Sequence, residues 1–407
     1  MHQYSPYLDW IESQHVAMVS LVEQWSSINS GSYNLPGLAH MLAALSASFA
    51  VLGGKEERIA LAPMKAVNKQ GDAFDQPQGQ ALRIRKRPDA PLQVFLCGHM
   101  DTVFGADHPF QTVRRIDDNT LNGPGAADLK GGLVIMLHAL HALEQSPYAS
   151  QIGWEILLNP DEEIGSTGSA PLLAEAAKRN HLGLIYEPSF ADGTIVSKRK
   201  GTGNFTAVIR GRAAHAGRDF HLGRNAIALM GEYITALYAL NGKHEGITVN
   251  PGIIEGGKAV NIVPDLAILK FNIRMASHAE QEWVTQELER LTAEFSVREG
   301  FSFALHGGFT RPPKPVTDGV QKLFDYVQDC GKQLGQNIKW QPSGGCCDGN
   351  NLIAHGLPNL DTLGVRGGEI HSDREFVLLD SLTERAKLSA LLLMRLASGE
   401  LAWPKEK

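Results

Sequence analysis

The chain has 407 residues, 43% of them hydrophobic and 20% charged, with Lys+Arg 38 against Asp+Glu 44 and a formal net charge of -6. That length exceeds one ordinary core and calls for two domains or one domain with a large insertion. The evenly mixed, slightly acidic charge excludes the basic footprint of a nucleic-acid binder, and four cysteines without a framework spacing suit a reducing, cytoplasmic setting.

The opening residues, MHQYSPYLDWIESQHVAMVSLVEQW, hold no basic segment followed by an apolar run and a small-residue cleavage site, so neither secretion nor membrane anchoring is expected. Helical periodicity predicts helices over Asp9 to Trp25 and Leu35 to Phe49, the second as a core helix. Short strands follow at Met64 to Asn68, Ala81 to Arg87 and Leu92 to Gly98, the last running into Gly-His-Met-Asp at 98–101. Next come Asn-Gly-Pro-Gly-Ala-Ala-Asp at 122–128, Lys130-Gly-Gly and an apolar helix over Leu133 to Leu143. Strand Ile152 to Leu158 opens into Asn-Pro-Asp-Glu-Glu-Ile-Gly-Ser, helix Pro171 to Lys178 follows, and strand Leu182 to Tyr186 ends at Glu187. Strand, polar loop and helix in repetition predict an α/β domain with a mixed, largely parallel sheet flanked by helices.

After Gly193 the pattern changes. Strand Ser197 to Arg210, helix Arg224 to Leu240, strands Gly246 to Ile254 and Leu266 to Met275, helix His278 to Phe295 and strand Phe301 to His306 suit an antiparallel α+β insertion. From Val316 helices and strands alternate again, closing with helix Leu382 to Leu396. The expected plan is one discontinuous domain, 1–197 with 311–407, carrying an inserted domain over 198–310.

Loops at the strand ends present His99, Asp128, Glu162 with Glu163, Glu187 and His371. Imidazole nitrogen and carboxylate oxygen are the donors zinc accepts at catalytic sites, and one carboxylate bridging two ions would let both activate a shared water. Asp101 is spaced to take the other ring N–H of His99. Each motif alone has a plainer reading: His-Met-Asp as a polar loop, Glu162-Glu163 as an acidic helix cap, Gly-Pro-Gly as a tight turn. Combined, they describe one metal site.

In this order the motifs resemble those of the M20 metallopeptidase family, the group of glutamate carboxypeptidases and of acetylornithine and succinyl-diaminopimelate deacylases, from about His99 to Glu375. The resemblance implies a catalytic domain with an inserted dimerisation (lid) domain, and two divalent metal ions, zinc first, with cobalt or manganese in its place. His99 and Glu187 would hold one ion, Glu163 and His371 the other, with Asp128 bridging and a cis peptide following it. Asp101 would orient His99, and Glu162 would act as general base on the bridging water.

Gly-Arg-Ala-Ala-His-Ala-Gly, at 211–217, matches the family's marker for a histidine that reaches the partner subunit's site, so His215 would stabilise the oxyanion within a homodimer. Asn261 and Arg274 match substrate-contacting positions, Arg274 suiting a free carboxylate beside the scissile bond, and the loop Ser343, Gly344, Gly345 resembles the family's glycine-rich substrate loop. The implied reaction is carboxypeptidase-like cleavage of an N-acyl amino acid or short peptide. Alternatives are a deacylase of the acetylornithine type, an aminopeptidase, and, since no ligand is missing, more remotely a non-catalytic binding protein.

Overall fold

Three apolar runs, Leu92–His99, Ile152–Asn159 and Leu182–Ile185, lie side by side and parallel within a six-stranded sheet. The computed structural model describes residues 2–404. Strands covered on both faces read as continuous apolar runs rather than alternating ones, and every residue of Ile152–Asn159 is buried. Asn359–Leu360 extends the parallel side, while Gln80–Lys86 and then Lys55–Ala60 add an antiparallel edge.

The helix Gly131–Gln145 is apolar around nearly its whole circumference, which burial alone tolerates. It packs on the C-terminal helix Asp380–Ala397 and on the sheet. A Cβ at Gly132 would fall 2.1 Å from the Tyr186 carbonyl oxygen, so glycine is what lets this helix approach the strand end that delivers Glu187. Leu35–Phe49 contributes Leu38, Met41, Leu45 and Phe49 to the same core.

A smaller sheet joins Ser189–Phe190, Arg366–Gly368, Phe376–Leu378, Thr120–Asn122 and Arg114–Arg115. Its connections carry Asp128 and His371. Between Gly201 and Arg311 a four-stranded antiparallel sheet runs in the order Thr248–Gly256, Leu266–Met275, Gly201–Arg210, Ser302–Arg311, with helices Ala226–Tyr238 and His278–Ser296 packed against it. It has its own core, with Phe205, Tyr233, Phe271, Leu291 and Phe295 at its centre. Each such side chain contributes roughly 1.5–3 kcal/mol on burial, enough together to let this sheet keep a core apart from the first. Ser277 and Glu280 form a capping box that starts helix His278–Ser296.

Three predicted elements differ. Asp9 to Trp25 is two helices, Ser5–Ser13 and His15–Ser26, meeting at Gln14. Ser197 to Arg210 is two strands: Ile195–Arg199 pairs in parallel with Trp340–Ser343, and Gly201–Arg210 belongs to the four-stranded sheet. Only Lys200 separates the two strands, so a reading by strand-forming residues merges them. Phe301 to His306 is the longer strand Ser302–Arg311, whose adjacent Gly307 and Gly308 mask its strand character.

Candidate active site

His99 ends one parallel strand, Glu162 and Glu163 occupy the turn after the next, and Glu187 follows Leu182–Ile185 by two residues. Side chains thus gather at the carboxyl ends of adjacent strands, where open α/β sheets bind ligands. The smaller sheet supplies the opposite wall. Asp128 follows Thr120–Asn122, with a cis peptide to Leu129, and His371 sits in the connection between Arg366–Gly368 and Phe376–Leu378. Glu369 and His371 both have positive φ, 53° and 63°, an uncommon conformation outside glycine for which histidine is among the more tolerant residues.

The two oxygens of Asp128 face different histidines: Oδ1 lies 3.1 Å from His99 Nε2 and Oδ2 lies 3.3 Å from His371 Nε2. His371 Nε2 is also 3.2 Å from Glu163 Oε2, and His99 Nε2 is 3.9 Å from Glu187 Oε1. Donor atoms of His99, Asp128 and Glu163 all lie within 4.8 Å of one another.

Electrostatics of the cluster follow from this crowding. Burial pushes Glu162 up to about 8 against the pull of Arg311. Burial and the charge of Asp128 raise Glu163, and the same two causes with Glu162 raise Glu187 well above the carboxylate range. Burial also opposes ionisation of Asp128, yet its hydrogen bonds to His371 and His99 outweigh it and hold this carboxyl well below its usual value. His371 is raised to about 11 by Asp128 and Glu163, and His99 is raised by Asp101 and Asp128 in spite of its burial. Carboxylates and imidazoles crowded this closely, all shielded but the half-exposed His371, form a set that a divalent cation stabilises by displacing their protons, and their N/O chemistry fits zinc, cobalt or manganese.

Asp101 meets the other ring nitrogen of His99 with both its carboxylate and its backbone. Nδ1 of His99 donates to the backbone carbonyl of Asp101 at 2.9 Å, with the carboxylate oxygen 3.4 Å away. A carbonyl only accepts, so Nδ1 carries the proton and Nε2 turns toward Asp128. The Asp101 carboxylate also accepts from Ser32 Oγ at 2.7 Å and from the backbone N–H groups of Glu162 and Glu163, both at 3.1 Å. It therefore fixes the turn that presents the glutamate pair.

A cleft of about 500 Å³ opens on the cluster, and Glu162, Glu187, Arg274, Ser343 and Gly345 line it. Arg274 Nη1 donates to the Gly344 carbonyl at 2.8 Å, which ties the glycine loop to the inserted sheet. His215 and Asn261 do not line this cleft. Both are exposed on paired loops, where the Asn261 carbonyl accepts from Ala216 N at 2.9 Å and His215 bridges to Ile262.

Three residues not singled out from the sequence also shape the site. Arg311 Nη2 lies 2.8 Å from Glu162 Oε1 and donates to the Glu162 carbonyl and Ser166 Oγ, both at 2.8 Å. Glu375 accepts from the N–H groups of Gly125, Ala127 and Asp128 at 3.1, 2.9 and 3.0 Å, shaping the loop that bears Asp128. Arg199 forms part of the cleft wall. No local motif marks any of them; each is defined by what it touches across more than a hundred residues of chain.

Comparison with known proteins agrees with this arrangement. The sequence profile described as Peptidase family M20/M25/M40 matches residues 95–395. Carboxypeptidase G2 of Pseudomonas sp. (strain RS-16) is 29% identical over 314 residues, covering 75% of this chain and 74% of that protein. A succinyl-diaminopimelate desuccinylase of Verminephrobacter eiseniae is 25% identical over 373 residues, 84% of this chain and 91% of its own length. Among solved structures, the di-peptidase Dug1p of Saccharomyces cerevisiae shares the fold with a TM-score of 0.75 at 14% identity, covering 98% of this chain and 99% of that one.

Proposed function

Since the chain belongs to peptidase family M20/M25/M40 and is a metal-dependent hydrolase, we propose that it is a carboxypeptidase-like amidohydrolase cleaving an N-acyl amino acid or short peptide. The observation that carries this reading is Asp128, whose two carboxylate oxygens address His99 and His371 separately, the arrangement a bridging ligand requires. Two divalent cations held by His99 with Glu187 and by Glu163 with His371, zinc in the first instance, would polarise the scissile carbonyl and lower the pKa of water there.

Glu162 supplies the proton chemistry. Arg311 occupies Oε1, and among the described residues no hydrogen bond reaches the other oxygen, which is left to accept a proton from the attacking water and pass it to the leaving nitrogen. A carboxyl raised by burial is a better proton acceptor than an ordinary glutamate. Arg274, with no carboxylate partner among the described residues, binds the substrate's free carboxylate, and that preference separates the carboxypeptidase-like reading from an aminopeptidase.

A homodimer belongs to the same proposal. Thr248–Gly256 is an edge strand of the inserted sheet with Ile253 and Ile254 more than half exposed, at 53% and 55%, and His215 and Asn261 stand outside their own chain's cleft. A second copy that supplies both would complete the site. A cytoplasmic setting is kept with the proposal and is tested by cell fractionation.

The decisive experiment is hydrolysis of N-acyl-glutamate, N-acyl-ornithine, succinyl-diaminopimelate and dipeptides by metal-loaded and chelated enzyme, beside Glu162→Ala. Turnover is expected for substrates with a carboxylate next to the scissile nitrogen, abolished by chelation, and reduced about 10²–10⁴-fold by the substitution. Full activity in Glu162→Ala refutes the proton-transfer role.

A further inference from the structure

Beside the catalytic cleft lies a second chamber of about 950 Å³, with Met64, Ala66 and Ala73 in one wall and Asn250, Thr206 and Lys270 in the other. Glu163, Asn204 and Asn272 line both spaces, so the two form one continuous groove. Arg274, Asn272 and Lys270 sit at alternate positions of Leu266–Met275 and share one face of the inserted sheet. At roughly 3.4 Å per residue, Lys270 stands about 13 Å beyond Arg274. A ligand held by its carboxylate at Arg274 therefore enters the second chamber only if it is long.

The wall opposite the sheet is a two-stranded hairpin, Met64–Val67 with Ala73–Gln76. By sequence it belongs to the lobe of the parallel sheet, yet Met64–Val67 packs on Ser302–Arg311 of the inserted sheet, and an isolated hairpin needs such packing to persist. Its turn is preformed: Asn68 Oδ1 accepts from the N–H groups of Gln70 and Asp72, both at 2.9 Å. Gly71 has a φ of 77°, and a Cβ there would fall 2.8 Å from Val208 Cγ1 and 3.0 Å from Leu266 Cδ1, so glycine lets the tip seat on the sheet. Arg210 completes the seat, its Nη2 donating to the Gln70 carbonyl at 2.8 Å and to Asp72 Oδ1 at 2.6 Å.

Position gives this contact leverage. The chain passes between the lobes at Lys200 and Arg311, and because Thr202 pairs with Arg311 the two crossings lie side by side. Arg210 ends the 10-residue strand that starts at Gly201, roughly 30 Å from those crossings. A small tilt there moves the far end most. Both Arg210 and Asp72 are largely exposed, and an exposed ion pair is weak enough to open.

Resting on the hydrolase reading above, we propose that this hairpin is a clasp between the lobes and that Arg210, by seating its tip, is a positioning residue for specificity. Substrates whose acyl part reaches beneath the hairpin depend on Arg210, and N-acetyl substrates do not. The apolar wall of Met64 and Ala66 faces the polar sheet only while the tip is seated, and an acetyl group ends beside the scissile bond, short of that wall.

N-acetyl-L-leucine and acetyl-trialanyl-L-leucine share a leaving residue and differ in reach. The test compares kcat/KM for the two on metal-loaded wild type, Arg210→Glu and Arg210→Lys. Hydrogen exchange of the hairpin amides reads the clasp without turnover, and titration calorimetry of both compounds on the same chains carrying Glu162→Ala reads the selectivity without turnover. Arg210→Glu sets two carboxylates against each other and removes the bond to Gln70. Exchange across the hairpin should quicken about 3- to 10-fold while the parallel sheet keeps its protection, and the ratio of longer to shorter substrate should fall by a similar factor. Arg210→Lys keeps the charge and should stay within about twofold of wild type in both readings.

Unchanged hairpin exchange in Arg210→Glu overturns the clasp whatever the turnover. An equal loss for both substrates, or a gain for the longer one, overturns the role in specificity while the hydrolase reading stands. Preferential binding of the longer compound that Arg210→Glu abolishes, without turnover by any chain, upholds the clasp and refutes the hydrolase reading. Absence of binding by the longer compound overturns the proposal.

Discussion

Replacing Asp361 by asparagine keeps the side-chain volume and removes the one carboxylate between Arg199 and Lys314. The amide oxygen can accept from some of the donors that now converge on Asp361, while its NH2 group confronts a cation. Two buried cations then lose the carboxylate they share, a loss that costs about 3–5 kcal/mol. Burial raises the Asp361 carboxyl, but Arg199 and Lys314 outweigh it and hold this group well below its usual range. A depressed folded pKa gives stability that is fully present above the unfolded value of about 3.9 and is lost as pH falls through the folded value. The gap between wild type and Asp361→Asn should therefore be constant at neutral pH and narrow only below about pH 4. Urea unfolding followed by tryptophan fluorescence suits the measurement, because Trp10, Trp25, Trp154, Trp340 and Trp403 lie outside the inserted segment and Trp283 alone lies within it. Lys314→Met serves as the control: it leaves a bidentate Arg199–Asp361 pair of zero net charge and should cost less. A loss under about 1 kcal/mol for Asp361→Asn, or a larger loss for Lys314→Met, would refute the balance of charge drawn here.

Glu375→Gln keeps one carbonyl oxygen for the three N–H groups that hold the Asp128 loop, so metal affinity should fall about 10- to 100-fold; competition against a chelator measures it, and wild-type affinity in a folded variant would refute that role. For the proposed dimer, inactive Glu162→Ala and His215→Ala chains are mixed and allowed to exchange subunits. Half the dimers become mixed and each holds one complete site, so activity should return to about a quarter of wild type, whereas no recovery despite exchange would show that His215 does not act across subunits.

The gathering of His99, Asp128 and Glu163 at one point was legible because its chemistry is local in sequence: each follows a strand or lies in a polar loop whose residue types suit a metal ion. The parallel sheet was legible for the same reason, since continuous apolar runs ending in polar loops have few alternative readings. Boundaries failed where side-chain pattern and hydrogen-bond partner come apart. Only Lys200 separates Ile195–Arg199 from Gly201–Arg210 while the backbone leaves Trp340–Ser343 for the inserted sheet, and no single-sequence signal reports such a switch. Asp101 shows a subtler gap: its spacing from His99 suggested a carboxylate contact, yet the backbone carbonyl makes the shorter one and the carboxylate holds the glutamate turn.

Arg311 illustrates why the rest of the site stays hidden. It closes the last strand of the inserted sheet, and the expected boundary at 310 set it just outside that segment. Read locally, it is an arginine before two prolines. In space it is a contact through which the inserted sheet reaches Glu162, the proposed proton carrier, meeting both its backbone and its carboxylate. The strand that ends at Arg311 pairs along its length with Gly201–Arg210, which in turn pairs with the strand bearing Arg274. One antiparallel sheet thus sets both the arginine that holds Glu162, the proposed general base, and Arg274, the proposed contact for the substrate carboxylate. Any movement of that sheet relative to the parallel strands would change both together, so on the proposed mechanism the join at Arg311, more than either lobe alone, would couple substrate binding to proton transfer.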